Sequence, residues 1–458
     1  MSDIPPVTPP VVRKSWRAGT LTYTAGGLVV LFLWLLWGDF AWQMKERGTQ
    51  PVVQVMLQKF QASDFLIGFL VLSLPASIGI FLTPIISYRS DRHRGRWGRR
   101  IPFLLATAPL TTVAMCGMAF SPWIGTWLHG RMGWGPGTLN LTVILVLGFF
   151  WTLLDFASVV AAAVFGALVN DVVPRELLGR FYGFFRVVSL LASLLFNKLV
   201  IGHSKEQYVA ILAGMGLLFG VGITLMCLRI KEGKYPPPPQ PAPGEKRGFI
   251  VAVKAYARDC FSKPHYLWIY AAMGLAPLSF LPVNTYSVYA AQSFGLSLTA
   301  YGNFVFMAHG CSLVLAYPLG WLADRIHPLR IALASMTVYA AVMVVGCFGI
   351  VGPTSFGWVL LAHVVLGGCY LTGAAALGAM LLPKLKFAEF ASAGALLVAA
   401  ASIILGPALG KLLDLLGHDY RCAFAVGAVI AVLAVGANLV VYRRFMAMGG
   451  PAGYVAPE

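Results

Sequence analysis

Twelve membrane-spanning α-helices, arranged as two pseudo-symmetric bundles of six, is the architecture this sequence predicts. Three observations predict it: an apolar, charge-poor composition, a regular alternation of basic loops, and a motif repeated in the two halves. Of the 458 residues, 58% are hydrophobic and only 11% charged, with a mean hydropathy of +0.77. A soluble domain carries about 25% charged residues. This much apolar surface needs lipid against it, and in lipid only helices or closed barrels satisfy the backbone. The apolar runs are continuous rather than alternating, so they predict an all-α protein.

The formal net charge of +17 has a topological origin. Arg13, Lys14 and Arg17 precede the first run, and six arginines from Arg89 to Arg100 follow the second. Basic residues then recur after every second run, ending with Arg443 and Arg444. This bias predicts cytoplasmic termini in a multi-pass protein of the cell inner (plasma) membrane. It also accounts for the basic charge without nucleic acid as a partner. The seven cysteines are scattered, with no CxxC spacing, so neither a disulfide framework nor a metal site is expected.

At about 20 residues per span, the runs fall near 25–56, 64–88, 101–122, 139–169, 180–202 and 206–229. A second set falls near 265–293, 299–323, 329–351, 355–382, 390–413 and 420–442. The expected organisation is a cytoplasmic tail over 1–24, a six-helix bundle over 25–229, a linker over 230–263, a second bundle over 264–442 and a tail over 443–458. Pro236–Pro239 and neighbouring lysines mark the linker. Pro84-Ile-Ile-Ser-Tyr-Arg-Ser-Asp91-Arg92 after the second run matches Pro318-Leu-Gly-Trp-Leu-Ala-Asp324-Arg325 after the eighth. Duplicated halves of this kind are the plan of the major facilitator fold, with substrate held between them near midplane.

The stretch Pro84-x-x-x-Tyr88-x-Ser90-Asp91-Arg92-x-x-x-Arg96-Trp97-Gly98-Arg99-Arg100-x-Pro102-Phe103 resembles the loop between the second and third helices of the plant sucrose transporters. Those belong to the glycoside–pentoside–hexuronide:cation symporters. Trp42 with Pro51, Val53 and Gln54, and Leu154-Asp155 followed by Ala167-Leu168 and Asp171, carry the resemblance through the first half. The resemblance implies proton coupling through Asp155. Where those carriers hold a substrate-contacting arginine, this chain has Gly166.

The residues themselves point to transport. Asp39, Gln43, Glu46, Gln50 and Gln54 fall within about 60° of one another on a helix, a polar stripe inside an apolar span. Ionisable groups at that depth normally face a cavity or a partner. Asp39, Gln43 and Glu46 are therefore candidate substrate contacts, with Trp42 as a platform for a sugar ring. The competing reading pairs Glu46 with Lys45 or Arg47 where the helix end frays into water. Asp155, deep in an apolar run, is the candidate proton-coupling group or, alternatively, a structural hydrogen-bond acceptor. Arg186 suits either a partner for Asp155 or Asp171, or the cytoplasmic gate.

From the second half, Asn284 and Tyr286, beside the helix-breaking Pro282, are candidate substrate contacts. Amide and hydroxyl groups suit neutral polyols. His309 and His363 fit either the site or helix–helix hydrogen bonding. Asp91, Arg92, Arg96, Arg99, Arg100 and Asp171, with Asp324 and Arg325 as counterparts, form a candidate cytoplasmic gate.

No phosphate loop, HExxH or zinc spacing occurs, so neither an enzyme nor a cofactor is expected. The expectation is a monomeric, proton-coupled symporter of a sugar or glycoside. A proton-antiport exporter of drugs or metabolites, and a non-transporting assembly or sensor protein, are the alternatives.

Overall fold

The computed structural model describes residues 15–235, 249–383 and 386–457. Pro236–Pro239, Arg13 and Lys14 lie outside them. Among the described residues, twelve helices are long and apolar enough to cross a membrane. They are α1 (Ala25–Lys59), α2 (Asp64–Arg92), α3 (Ile101–Ala119), α4 (Leu139–Val172), α5 (Arg175–His203) and α6 (Tyr208–Arg229). The second set is α7 (Pro264–Ser293), α8 (Leu298–Ala323), α9 (Pro328–Phe348), α10 (Pro353–Leu381), α11 (Glu389–Leu415) and α12 (Arg421–Ala447).

Local chemistry sets where they start. The Thr24 side chain accepts from Gly27 N at 3.2 Å ahead of α1, and Ser297 caps α8 in the same way at 3.2 Å. Such side chains satisfy N–H groups that the helix itself leaves open. Prolines in the first turns of α3 and α7 sit where their missing N–H costs nothing.

The two halves repeat one packing scheme. Within the first, α1 packs on α6, α3 on α6 and α4, and α2 on α4. Within the second, α7 packs on α12, α9 on α12 and α10, and α8 on α10, which is the same set displaced by six helices. Between the halves α2 meets α11 and α5 meets α8, again equivalent pairs.

Two segments differ from the sequence expectation. The 230–263 linker contains a helix, Phe249–Phe261. Its Cys260 is fully buried in the core, and Asp259 pairs with Lys386 at 2.6 Å, so apolar anchoring and charge seat it on the second half. The first tail holds a short hairpin, Trp16–Ala18 with Leu21–Tyr23.

The described parts of both tails, the helix just described and the Arg89–Arg100 loop share one end of the bundle, here the basic end; the other is the far end. At the far end the halves touch through backbone. A Cβ at Gly68 of α2 would collide with the Gly406 carbonyl of α11, and one at Gly302 of α8 with the Asn197 carbonyl of α5. Glycine permits these close approaches. Asp414, closing α11, accepts from the Asp64 and Phe65 N–H groups of α2 at 2.8 and 3.0 Å. Asp64 in turn holds His418 Nδ1 at 2.7 Å and the Tyr420 hydroxyl at 3.2 Å. The Tyr286 hydroxyl donates to Asp64 O at 2.7 Å, and that of Tyr289 to Gln54 O at 2.8 Å. All these bonds cross from one half to the other.

Candidate functional site: a polar cavity between the halves

A cavity of about 480 Å³ lies between the halves on the basic side of that seam. Helix α1 contributes Glu46, Arg47, Gln50 and Gln54 to its wall, and α5 adds Arg186, Ser193 and Asn197. Facing them are Asn284 and Ser287 of α7, His309 of α8 and His363 of α10. Helical periodicity explains the α1 set: positions 46, 50 and 54 recur about every turn along one face.

The second half fixes its polar groups through hydrogen bonds. His363 sits between the Tyr339 hydroxyl at 3.0 Å and Asn284 Oδ1 at 2.9 Å. His309 Nε2 lies 3.2 Å from Ser193 Oγ, and its Nδ1 lies 2.9 Å from Val305 O. Each histidine thus bonds through both ring nitrogens, which fixes its ring orientation.

The charged groups belong to the first half. Lys45 is buried, with its side chain 3% exposed, and pairs with Glu46 Oε2 at 3.0 Å. It also donates to Ser158 Oγ of α4 at 2.8 Å and lies 4.3 Å from the Trp42 ring centroid. Glu46, 54% exposed, presents its carboxylate to the cavity. Arg47 donates to Ser189 Oγ at 3.0 Å, while its Nε is buried without a partner. Asp155, one turn before Ser158, has a buried Oδ2 with no partner, as does Asp39, whose Oδ1 accepts from Gln43 at 3.1 Å.

Of the sequence candidates for substrate contact, Glu46 and Asn284 line the cavity. The others stand elsewhere. Trp42 is stacked on Phe165 and tilted against Phe219, inside the first half. Asp39 is buried, with Gln43 bonded to it. Tyr286 is fully buried in the far-end seam, stacked on Tyr420 at 6.1 Å. Its hydroxyl is committed to Asp64 O, because the α7 face that carries it turns toward α2.

Of the candidate gate residues, Asp91, Arg99, Arg100 and Asp171 brace the first half. Arg99 engages Asp171 through two bonds of 3.0 and 2.6 Å, and Arg100 bonds Asp91, Ser90 and Asp171. Arg92 stacks on Tyr88 at 3.7 Å, and Arg96 is exposed. Arg325 lies 5.0 Å from the Trp321 ring, and the side chain of Asp324 lies outside the described residues.

Sequence reasoning missed Glu232, whose carboxylate accepts from the N–H groups of Arg99, Arg100 and Ile101 at 2.9, 2.8 and 2.7 Å. It caps α3 from 131 residues away, favoured by the helix dipole. The alternative that paired Glu46 with Lys45 has its pair, at 3.0 Å, but not at a fraying end. The apolar run Val52, Val53, Val55, Met56 and Leu57, all buried further along α1, was the available signal against that.

A polar cavity between two six-helix halves is the geometry of a carrier. A model of the MFS/sugar transport protein family matches residues 37–385. The chain belongs to that family. As a member of the MFS/sugar transport protein family it is a membrane-embedded secondary transporter of small molecules. Solved structures with the same fold include a bacterial homolog of the human lysosomal transporter Spinster in an inward-facing, unoccupied conformation, at 14% identity and TM-score 0.64. The match covers 92% of this chain and 97% of that one. A D-xylose–proton symporter matches at 14% identity and TM-score 0.60, over 89% and 96% of the two chains. An inward-facing bacterial homologue of the iron transporter ferroportin matches at 18% identity and TM-score 0.64, over 90% and 98%.

Proposed function

We propose that this protein carries a sugar or glycoside across the cell inner membrane in symport with protons, by rocking its two halves about the central cavity. The basic end is read as cytoplasmic from the arginine-rich alternate loops, which makes the described state open toward the cytoplasm. The observation that carries the coupling is Asp155. A buried carboxylate oxygen without a donor is costly when ionised, and a bound proton relieves that cost. In this reading Asp155 is the proton-binding group, one turn from Ser158, which accepts from Lys45, the partner of the cavity-facing Glu46.

The cavity wall supports a polyhydroxylated substrate. Amides, hydroxyls and a carboxylate offer both donors and acceptors, with Arg47 and Arg186 adding cationic donors suited to hydroxyl or acidic groups on a sugar. The family's sugar description and the extended Arg96–Phe103 motif agree with that substrate class. Glu46 and Asn284 are the substrate contacts in this reading, and the Asp91–Arg100 cluster with Asp171 acts at the cytoplasmic gate.

Sugar-driven alkalinisation in energy-starved cells expressing the protein tests this, with Asp155→Asn alongside. The expected result is alkalinisation by a sugar in the wild type and its loss in the variant. Sugar uptake without proton movement would remove the coupling. Inert behaviour toward every sugar, in correctly inserted protein, would favour the exporter.

A further inference from the structure

We infer that Lys45 is the positioning residue through which Asp155 controls the sugar site, by handing its ammonium between Glu46 and Asp155. The inference deepens the proton-symport reading and rests on it.

Three features of the geometry carry it. First, Lys45 is buried and spends two of its three N–H donors, on Glu46 Oε2 at 3.0 Å and Ser158 Oγ at 2.8 Å. Second, Ser158 stands three residues after Asp155 on α4, so both lie on one helix face about 5–6 Å apart at Cβ. Lys45 is thereby held beside a carboxylate whose Oδ2 is buried and has no donor. Third, Glu46 has another cation within reach, because Arg47 interacts with it electrostatically and keeps a buried Nε without an acceptor.

The charged and titratable groups around Lys45 are thus Glu46 and Arg47 on its own helix and Asp155 on α4. Arg186 of α5, on the same wall of the cavity, acts on Arg47. Trp42 and Phe219 supply aromatic faces at 4.3 and 5.7 Å.

In this scheme the described arrangement, with Lys45 on Glu46 and Asp155 Oδ2 without a donor, is the one a protonated Asp155 leaves. With no charge on Asp155 to attract it, Lys45 stays on Glu46 and orients that carboxylate toward the cavity as an acceptor for sugar hydroxyls. When the Asp155 carboxyl releases its proton to water at the basic end, the new carboxylate draws the Lys45 ammonium toward itself and off Glu46. Glu46 then loses its counter-ion and closes onto Arg47, which takes the acceptor away from the sugar. Proton and sugar therefore favour each other's binding, the sign that symport needs, and linkage makes the effect reciprocal.

The test uses the full-length protein in proteoliposomes with radiolabelled D-xylose, D-glucose, sucrose and melibiose. The affinity for whichever sugars are bound is measured at acid and at alkaline pH. In the wild type affinity should fall by about 5- to 150-fold as pH rises. Lys45→Gln should flatten that dependence while sugar exchange between loaded vesicles, which needs no net proton movement, continues. Lys45→Arg, which restores the charge, should restore the dependence.

Glu46→Gln, at an exposed position, guards against loss of folding in the first variant. It should bind weakly and without pH dependence although Asp155 is intact. Wild-type pH dependence in either Gln variant would overturn the handover and leave proton symport standing. Equal loss of exchange and net uptake in folded Lys45→Gln protein would reduce Lys45 to a structural role and overturn it as well. Sugar binding without pH dependence in the wild type would remove the coupling reading, and binding of none of the four sugars would remove the sugar reading; the handover falls with either.

Discussion

The two ends of this carrier are held by different chemistry. At the far end the halves meet backbone to backbone, with glycines at the crossings and carboxylate and tyrosine bonds spanning the gap. At the basic end the strong contacts stay inside one half, where Arg99 and Arg100 clasp Asp171 and Glu232 caps α3. The apolar packing follows suit. One cluster runs through both halves, while a second, including Leu35, Phe165, Phe181 and Phe219, belongs to the first half alone. An end that must part can be sealed by a close fit that either half can leave, whereas a half that moves as a body needs its bracing internal.

Perturbing the seam should have the largest effect. Gly406→Leu puts a side chain where the α2 backbone passes, costing the sealed state about 3 kcal/mol. Spin labels placed across α2 and α11 should move apart, with transport lost. An unchanged distance would mean the close approach is incidental.

Asp414→Ala comes next, since it strips the acceptor from two helix N–H groups, worth about 2 kcal/mol. Thiol labelling of a cysteine introduced at Ile67, buried one turn beyond that cap, should quicken by roughly 30-fold. Arg99→Gln tests the other end. It should lower unfolding stability by about 1 kcal/mol, the pair being partly exposed, and leave far-end labelling unchanged.

The smallest effect concerns pH. The bond to Asp64 raises the His418 pKa above its ordinary value, with Asp414 adding to the shift, and Tyr420 shares the same carboxylate. A raised value means that this contribution to closure is complete below the usual histidine range. It is lost as pH rises through the raised value. With His418 58% exposed, solvent screening leaves roughly 0.3–0.5 kcal/mol. Far-end labelling should therefore increase slightly with pH in the wild type, and His418→Gln should remove that slope.

The sequence made one of these ends much easier to read than the other. The arginine loop stands out because charges are rare in such a chain, and the twelve spans stand out because lipid imposes a length and a composition on each. The polar stripe of α1 was legible for the same reason, down to Glu46 on the cavity wall. Its phase relative to the other helices was not. Trp42 shares that helix yet stacks on Phe165 in its own half, about 80° of rotation from Gln50. Gln43 has the phase of Gln50 and Gln54 but stands about two turns nearer the basic end, bonded to Asp39.

Tyr286 shows the same limit, as neighbouring Asn284 reaches the cavity while Tyr286 serves the seam. Gly68, Gly406 and Asp414 carry no local signal. Their meaning depends on which helix crosses them, a contact between positions more than 300 residues apart.

The cap that Asp414 lends to α2 turns two amides into a clock. The Asp64 and Phe65 N–H groups lose that carboxylate whenever α2 and α11 separate. Their exchange with heavy water is then gated by separation of the halves, and local openings of this sort set exchange rates. Followed residue by residue in the unmodified protein, those two amides would count excursions to the other face of the membrane without label, substrate or mutation.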